Sequence, residues 1–142
     1  MDNIEFEVLP DVFYIHKIDH RNNSAEKSQW IIAEDKERDC FKYSLDSCWN
    51  EPPYTSWGLH FEKNHVVCLG KAAKNEPKFS DLFIAKFVDS TKNSKWHGYP
   101  AHPSSQKRQD IPPESVLNDW LKKQYLRPQI IRKISRGQRC KL

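Results

Sequence analysis

Glycine is scarce in this chain, with four among 142 residues, and that scarcity excludes whole classes of site. A phosphate-cradling P-loop and a G-x-G-x-x-G dinucleotide fingerprint both need clustered glycines, and neither is present; a G-x-S-x-G nucleophile elbow is missing too. No apolar run approaches the roughly 18 residues that a membrane span requires, so no membrane partner is expected. No C-x-x-C or H-E-x-x-H pairing occurs, and structural zinc sites usually announce themselves through such spacings. No metal and no cofactor is therefore implied. The opening stretch MDNIEFEVLPD is acidic and alternating, without the positive start and apolar block of a secretion signal. That predicts a cytoplasmic protein in which Cys40, Cys48, Cys68 and Cys140 are thiols.

What the chain does have is aromatic bulk and an uneven distribution of charge. Five Trp, seven Phe and five Tyr argue against disorder, although the hydrophobic fraction is only 37%. The length fits one domain over residues 1–142. The net charge of +4 hides a division: residues 1–70 hold seven Lys/Arg against thirteen Asp/Glu, and residues 71–142 hold sixteen against six. After Asp119 come eight basic residues and no acidic side chain. A solvated surface usually mixes the two signs.

Periodicity predicts an α+β fold: a mostly antiparallel sheet of five to seven strands over residues 3–100, then a C-terminal helical pair over 114–136. Ile4, Phe6 and Val8 alternate with Glu5 and Glu7, and Val12 to Ile18 reads as a second strand. Residues 29–49 fit either a hairpin, pairing Trp30–Ile32 with Phe41–Leu45 across a charged knot, or one helix; the hairpin is favoured. A second hairpin is expected from Trp57–Phe61 and His65–Leu69, turning at Lys63-Asn64. Leu82–Val88 is the most hydrophobic run and the expected central strand. Ser90 to Pro113, whose proline-rich end is 101–113, is expected to be a long irregular loop. Asp110 and Pro112-Pro113 suit a helix start; Val116, Leu117, Trp120 and Leu121 then repeat at helical spacing. Pro128 opens a second helix with Ile130, Ile131 and Ile134 on one face, and Gly137 stands at its end.

Four groups of residues invite a functional reading. The first is the basic helical pair, with Lys122, Lys123, Arg127, Arg132, Lys133 and Arg136 outside two apolar inner faces. It has the layout of a helix-turn-helix, though Gln124-Tyr125-Leu126-Arg127 lacks the glycine often found at that turn. Such cations on backbone phosphates release counterions, the main source of non-specific nucleic-acid affinity; the bland alternative is an ordinary solvated face. The second is the stretch Lys95-Trp96-His97-Gly98-Tyr99-Pro100, where His97 can act as a base oriented by Asp89, with Lys95 or Lys86 holding a phosphate. The alternative there is that Trp96 and Tyr99 plug the core and His97 stands by. The third is the scatter of His60, His65 and Cys68 near one turn, which buried or surface side chains explain more simply. The fourth is Trp30, Trp49 and Trp57 as stacking platforms, against their commoner use as core.

The leading expectation is a binding module that engages nucleic acid or another polyanion through its basic C-terminal helices. A small phosphodiester or nucleotide hydrolase built on Asp89 and His97, and a protein-interaction module using oppositely charged halves, are the alternatives.

Overall fold

The computed structural model describes residues 4–74, 81–104 and 108–142. Strand β1 (Glu5–Leu9) turns at Asp11, which takes the left-handed conformation (φ 61°), and returns as β2 (Val12–Ile15). A 3-10 turn (Ile18–His20) and β3 (Gln29–Trp30) lead into α1 (Glu34–Asp46). Short strands follow: β4 (Asn50–Glu51), β5 (Thr55–Gly58), β6 (His60–Glu62), β7 (His65–Val67), β8 (Gly70–Lys71) and β9 (Asp81–Leu82). The longest strands, β10 (Ile84–Val88) and β11 (Lys95–Ala101), come next. A 3-10 turn (Arg108–Asp110), α2 (Glu114–Lys122) and α3 (Pro128–Ser135) complete the order.

The main sheet runs β1-β2-β11-β10-β5-β4, antiparallel except where β2 lies parallel to β11. This is the expected α+β class, a mostly antiparallel sheet with a C-terminal helical pair, and β10 lies between β11 and β5. Strands β3, β8 and β9 form a second small sheet. Strands β6 and β7 form a hairpin at the expected Lys63-Asn64 turn, both residues at positive φ (50° and 67°), but with shorter arms than expected, because Trp57 and Gly58 pair instead with Lys86 and Ala85 of β10.

Each face of the sheet has its own core, because register partners share a face. On one side Tyr14, Ala85, Phe87 and Trp96 pack with Cys40 and Phe41 of α1 and with Trp30. On the other, Trp57, Leu59 and Ile84 pack with Val116, Leu117 and Trp120 of α2 and the Ile130, Ile131 and Ile134 stripe of α3. Leu121, expected in the α2 stripe, is exposed. Both helices end by passing into a left-handed residue, Gln124 (φ 60°) after α2 and Gly137 (φ 66°) after α3.

Three expectations give way to the structure. Residues 34–46 are a helix and not the second arm of a hairpin. Its inward face is Glu37, Cys40, Phe41 and Ser44, a helical spacing in which two of the four are polar, so the apolar period is concealed. Ser90–Pro113 is not one long loop, since β11 runs through it; residues 105–107 of that stretch lie outside those described. Pro100 is tolerated in β11 because its carbonyl accepts the Ser28 hydroxyl at 2.7 Å, on the edge that β2 has already left, and its nitrogen faces the same edge. Asp110 does not cap α2; Pro113 takes the capping position and makes no side-chain cap bond.

The polar inward residues of α1 are satisfied. Glu37 (1% exposed) accepts a hydrogen bond from Tyr14 Oη at one oxygen, and at the other accepts Arg21 Nε at 3.0 Å and Arg21 Nη2 at 2.7 Å. His16 Nδ1 stands 3.0 Å from the same oxygen, and His16 Nε2 accepts from Arg38 Nη1 at 2.9 Å. Burial and the Glu37 carboxylate push the Tyr14 phenol well above its ordinary pKa, so it stays a donor.

Two substitutions test this packing. Glu37→Ala strands Arg21 and Tyr14 and is expected to cost about 3–5 kcal/mol in urea-denaturation stability. A Cβ on Gly98 would lie 2.3 Å from Phe87 Cδ1 and 2.9 Å from the Lys86 carbonyl oxygen. Gly98→Ala is therefore expected to cost about 1–3 kcal/mol, read as a lowered thermal midpoint.

Candidate polyanion interface and an adjoining polar cleft

The outward faces of α2 and α3 follow from their buried stripes. With Ile130, Ile131 and Ile134 inside, Gln129, Arg132, Lys133 and Arg136 fall on the opposite side at helical spacing, and all four are exposed. Lys122, Lys123 and Arg127 are exposed as well. Lys123 pairs with Asp119 at 2.8 Å, which lifts its pKa; the bonds from Lys123 and from Trp49 Nε1 (2.7 Å) hold the Asp119 carboxyl below its usual range. Among the described residues, Lys122, Arg127, Arg132, Lys133 and Arg136 make no ion pair. Among the described residues, none of the six is clasped by a carboxylate of the acidic opening segment.

Helix electrostatics does not account for this arrangement. Cations in the last turn of α3 gain about 0.3–1 kcal/mol from the helix dipole, but Arg127 occupies the opposite, N-cap end, where the dipole opposes a positive charge. Glu34, Asp35 and Glu37 open α1 and Glu114 opens α2, whereas α3 has no acidic residue in its first turn. The α3 end thus forgoes a stabilisation that the other two helices use.

The residues grouped around β11 are only partly brought together. Lys86, Val88, His97 and Tyr99 share one face, with Lys86 opposite Tyr99 and Val88 opposite His97. Asp89 does not touch His97. Its carboxylate accepts Thr91 Oγ1 at 2.9 Å and the backbone N–H groups of Lys92 at 3.0 Å and Ser94 at 2.8 Å, closing the β10–β11 loop. Burial raises its pKa, but those bonds outweigh it and hold the carboxyl below its ordinary value. His97 Nε2 lies 3.3 Å from Ser90 Oγ, and Lys95 pairs with Glu5 at 3.1 Å. Lys86 donates to the Gln109 carbonyl and stands 3.5 Å from Asp110 Oδ1.

A polar cleft of about 300 Å³ opens where the 3-10 turn, Ser28, the end of β11 and Asp110 converge. His20 Nδ1 donates to the Ser28 carbonyl at 2.8 Å, leaving Nε2 as the free nitrogen, and its ring stacks on Tyr99 at 5.4 Å between centroids. Tyr99 Oη donates to the buried Asp110 carboxylate at 2.6 Å, and burial with that carboxylate raises the Tyr99 pKa. Lys27 and His102 complete the wall, with Glu26 at the rim. Burial lowers the pKa of His20, with Lys27 adding to the effect; burial, Lys17 and His20 lower that of His97. The sequence reading missed His20, Ser28 and Asp110 because they lie far apart in the chain. The Asp19-His20-Arg21 string carries no motif.

Of the remaining candidates, His65 is exposed on β7. Trp30, Trp49 and Trp57 are buried in the two cores. His60 Nε2 sits 3.3 Å from Glu62, Cys40 donates to the Leu59 carbonyl, and Cys68 donates to the Gly70 carbonyl. Among the described residues no three His, Cys, Asp or Glu side chains group as metal ligands, and no helix is long and apolar enough to cross a membrane.

No family model, no curated protein and no solved structure matches this chain. Charge and geometry carry the functional argument alone.

His20 and His97 give a signed pH dependence. Both are harder to protonate folded than unfolded, so the unfolded chain takes up protons first as pH falls below about 6.5. Their contribution to stability is complete above that value and declines below it. Urea denaturation of wild type and of His20→Asn/His97→Asn between pH 7 and pH 5 should show a smaller loss in the double variant.

Proposed function

We propose that this protein is a binding module for nucleic acid, engaged through the outer faces of α2 and α3. The observation that carries the reading is the α3 face itself: Arg132, Lys133 and Arg136 exposed beside Gln129, with no ion pair among the described residues to satisfy them. Lys122 and Arg127 extend the same unpaired cationic set. An ammonium or guanidinium group left free is available to a phosphate, whereas one already paired must first give up its carboxylate. The Gln129 amide and the guanidinium groups also supply hydrogen-bond donors suited to phosphate oxygens and base edges. The left-handed Gln124 performs at the α2–α3 turn the role that glycine often fills in a helix-turn-helix.

The other two readings have less behind them. A hydrolase using Asp89 to orient His97 lacks that contact, because the Asp89 carboxylate is occupied by its own loop. A protein-interaction module using its oppositely charged halves has no specific contact in its favour among the described residues; the ion pair that joins the halves at the sheet edge, Lys95–Glu5, is internal to the chain.

Electrophoretic mobility shift with single- and double-stranded oligonucleotides tests the proposal. Five free cations predict a log–log salt slope of about −4, hence an affinity loss of roughly a hundredfold or more between 50 and 200 mM salt. Arg132→Glu/Lys133→Glu/Arg136→Glu should abolish the shift while leaving the thermal midpoint within a few degrees. Retained affinity in that folded variant would exclude this surface.

A further inference from the structure

We propose that the polar cleft is a ribonucleolytic site, in which His20 Nε2 takes the proton from a ribose 2′-hydroxyl. The inference rests on the nucleic-acid reading above and assigns that reading a reaction.

Three features of the cleft support it. The first is the preparation of His20: its Nδ1–H is committed to the Ser28 carbonyl and its ring is held flat on Tyr99, so the one available nitrogen is a lone pair with a set direction. A backbone carbonyl that fixes the tautomer and orientation of an imidazole is the arrangement a general base needs. Burial keeps that imidazole neutral at pH 7. The second is the surrounding charge. Lys27 stands at the cleft wall to meet a phosphate, while Asp110, which would repel one, is engaged by Tyr99 and faced by Lys86. Glu26 at the rim is the opposing charge.

The third is continuity with the proposed interface. His102 lines this cleft and also a narrower pocket walled by Ile134, Gln138, Arg139 and Lys141, at and just beyond the C-terminal end of α3. Arg139 and Lys141, which follow Arg132, Lys133 and Arg136 in the chain, thus line, alongside Asp81, a pocket that shares a wall with the cleft. The substrate class follows: single-stranded RNA, whose 2′-hydroxyl is the internal nucleophile and whose unstacked backbone fits a cleft of this size.

The step balances without a further reactant. The 2′-oxygen gives its proton to His20 and bonds to the adjacent phosphorus, the P–O5′ bond breaks, and O5′ takes a proton. The Lys27 ammonium, which lines the cleft, is the donor. The products are a 2′,3′-cyclic phosphate and a free 5′-hydroxyl.

The test incubates the full chain with a mixed-sequence single-stranded RNA oligonucleotide, and with the matching DNA, in the presence of EDTA. Products are read by mass spectrometry. Cleavage of the RNA alone, ending in 2′,3′-cyclic phosphate, is expected. His20→Asn, whose amide can still donate to the Ser28 carbonyl, should slow cleavage by about a hundredfold or more while leaving the mobility shift and the thermal midpoint unchanged. Lys27→Ala should also slow it. RNA that is bound but not cut overturns the ribonuclease assignment and leaves the interface standing. RNA neither bound nor cut overturns both. Cleavage undiminished in either variant, or equal cleavage of DNA, overturns the assignment of these residues.

Discussion

Glu37 is a carboxylate inside a protein, and its neighbours are arranged around that fact. An unpaired charge at that depth would cost several kcal/mol, which exceeds what one helical turn of ordinary packing returns. The chain answers with Tyr14 from β2 and Arg21 from the segment that follows the first 3-10 turn, both donating to Glu37. Two consequences follow. Helix α1 is pinned across the sheet by polar bonds as well as by Phe41 and Cys40. The backbone at residue 21 is also pinned, which sets His20, one residue earlier, against Tyr99. The cleft inherits its geometry from a buried ion pair on the other side of the sheet.

The same logic separates the two kinds of charge. In the acidic half, Glu37 is consumed internally and Glu5 is paired with Lys95. In the basic half, Lys86 is turned inward to Gln109 and Asp110, and the cations of α2 and α3 point outward. What remains at the surface is a predominantly cationic helical face, with Glu114 and the Lys123-paired Asp119 on α2, and a cleft whose own carboxylate, Asp110, is engaged. The cleft and the pocket at the C-terminal end of α3 share His102 as a lining residue.

Much of this fold was legible in the chain. The Lys63-Asn64 turn, the β1–β2 pair, the run that becomes β10 and both C-terminal helices were readable because their apolar residues recur at the period of the element. Helix α1 was not, since Glu37 and Ser44 occupy core positions and break the apolar count. Strand β11 was obscured by Pro100, whose place in a ladder depends on which neighbour has already ended. The candidate interface was visible as a run of cations without carboxylates. The cleft was not, and the Asp89 carboxylate, near His97 in sequence, is spent on closing its own loop.

The sequence alone therefore determined composition-level properties: one aromatic-rich α+β chain, no glycine-built phosphate loop, and a cationic C-terminal stretch with its apolar stripes already in helical register. Those are local, because period and charge are carried by neighbouring residues. Only the tertiary structure decided that His20, Ser28, Tyr99 and Asp110 meet, that the Asp89 carboxylate binds its own loop, and that of the six helical cations Lys123 alone is ion-paired among the described residues. Such facts depend on which distant groups each buried polar atom recruits, and no short window of sequence contains both members of those pairs.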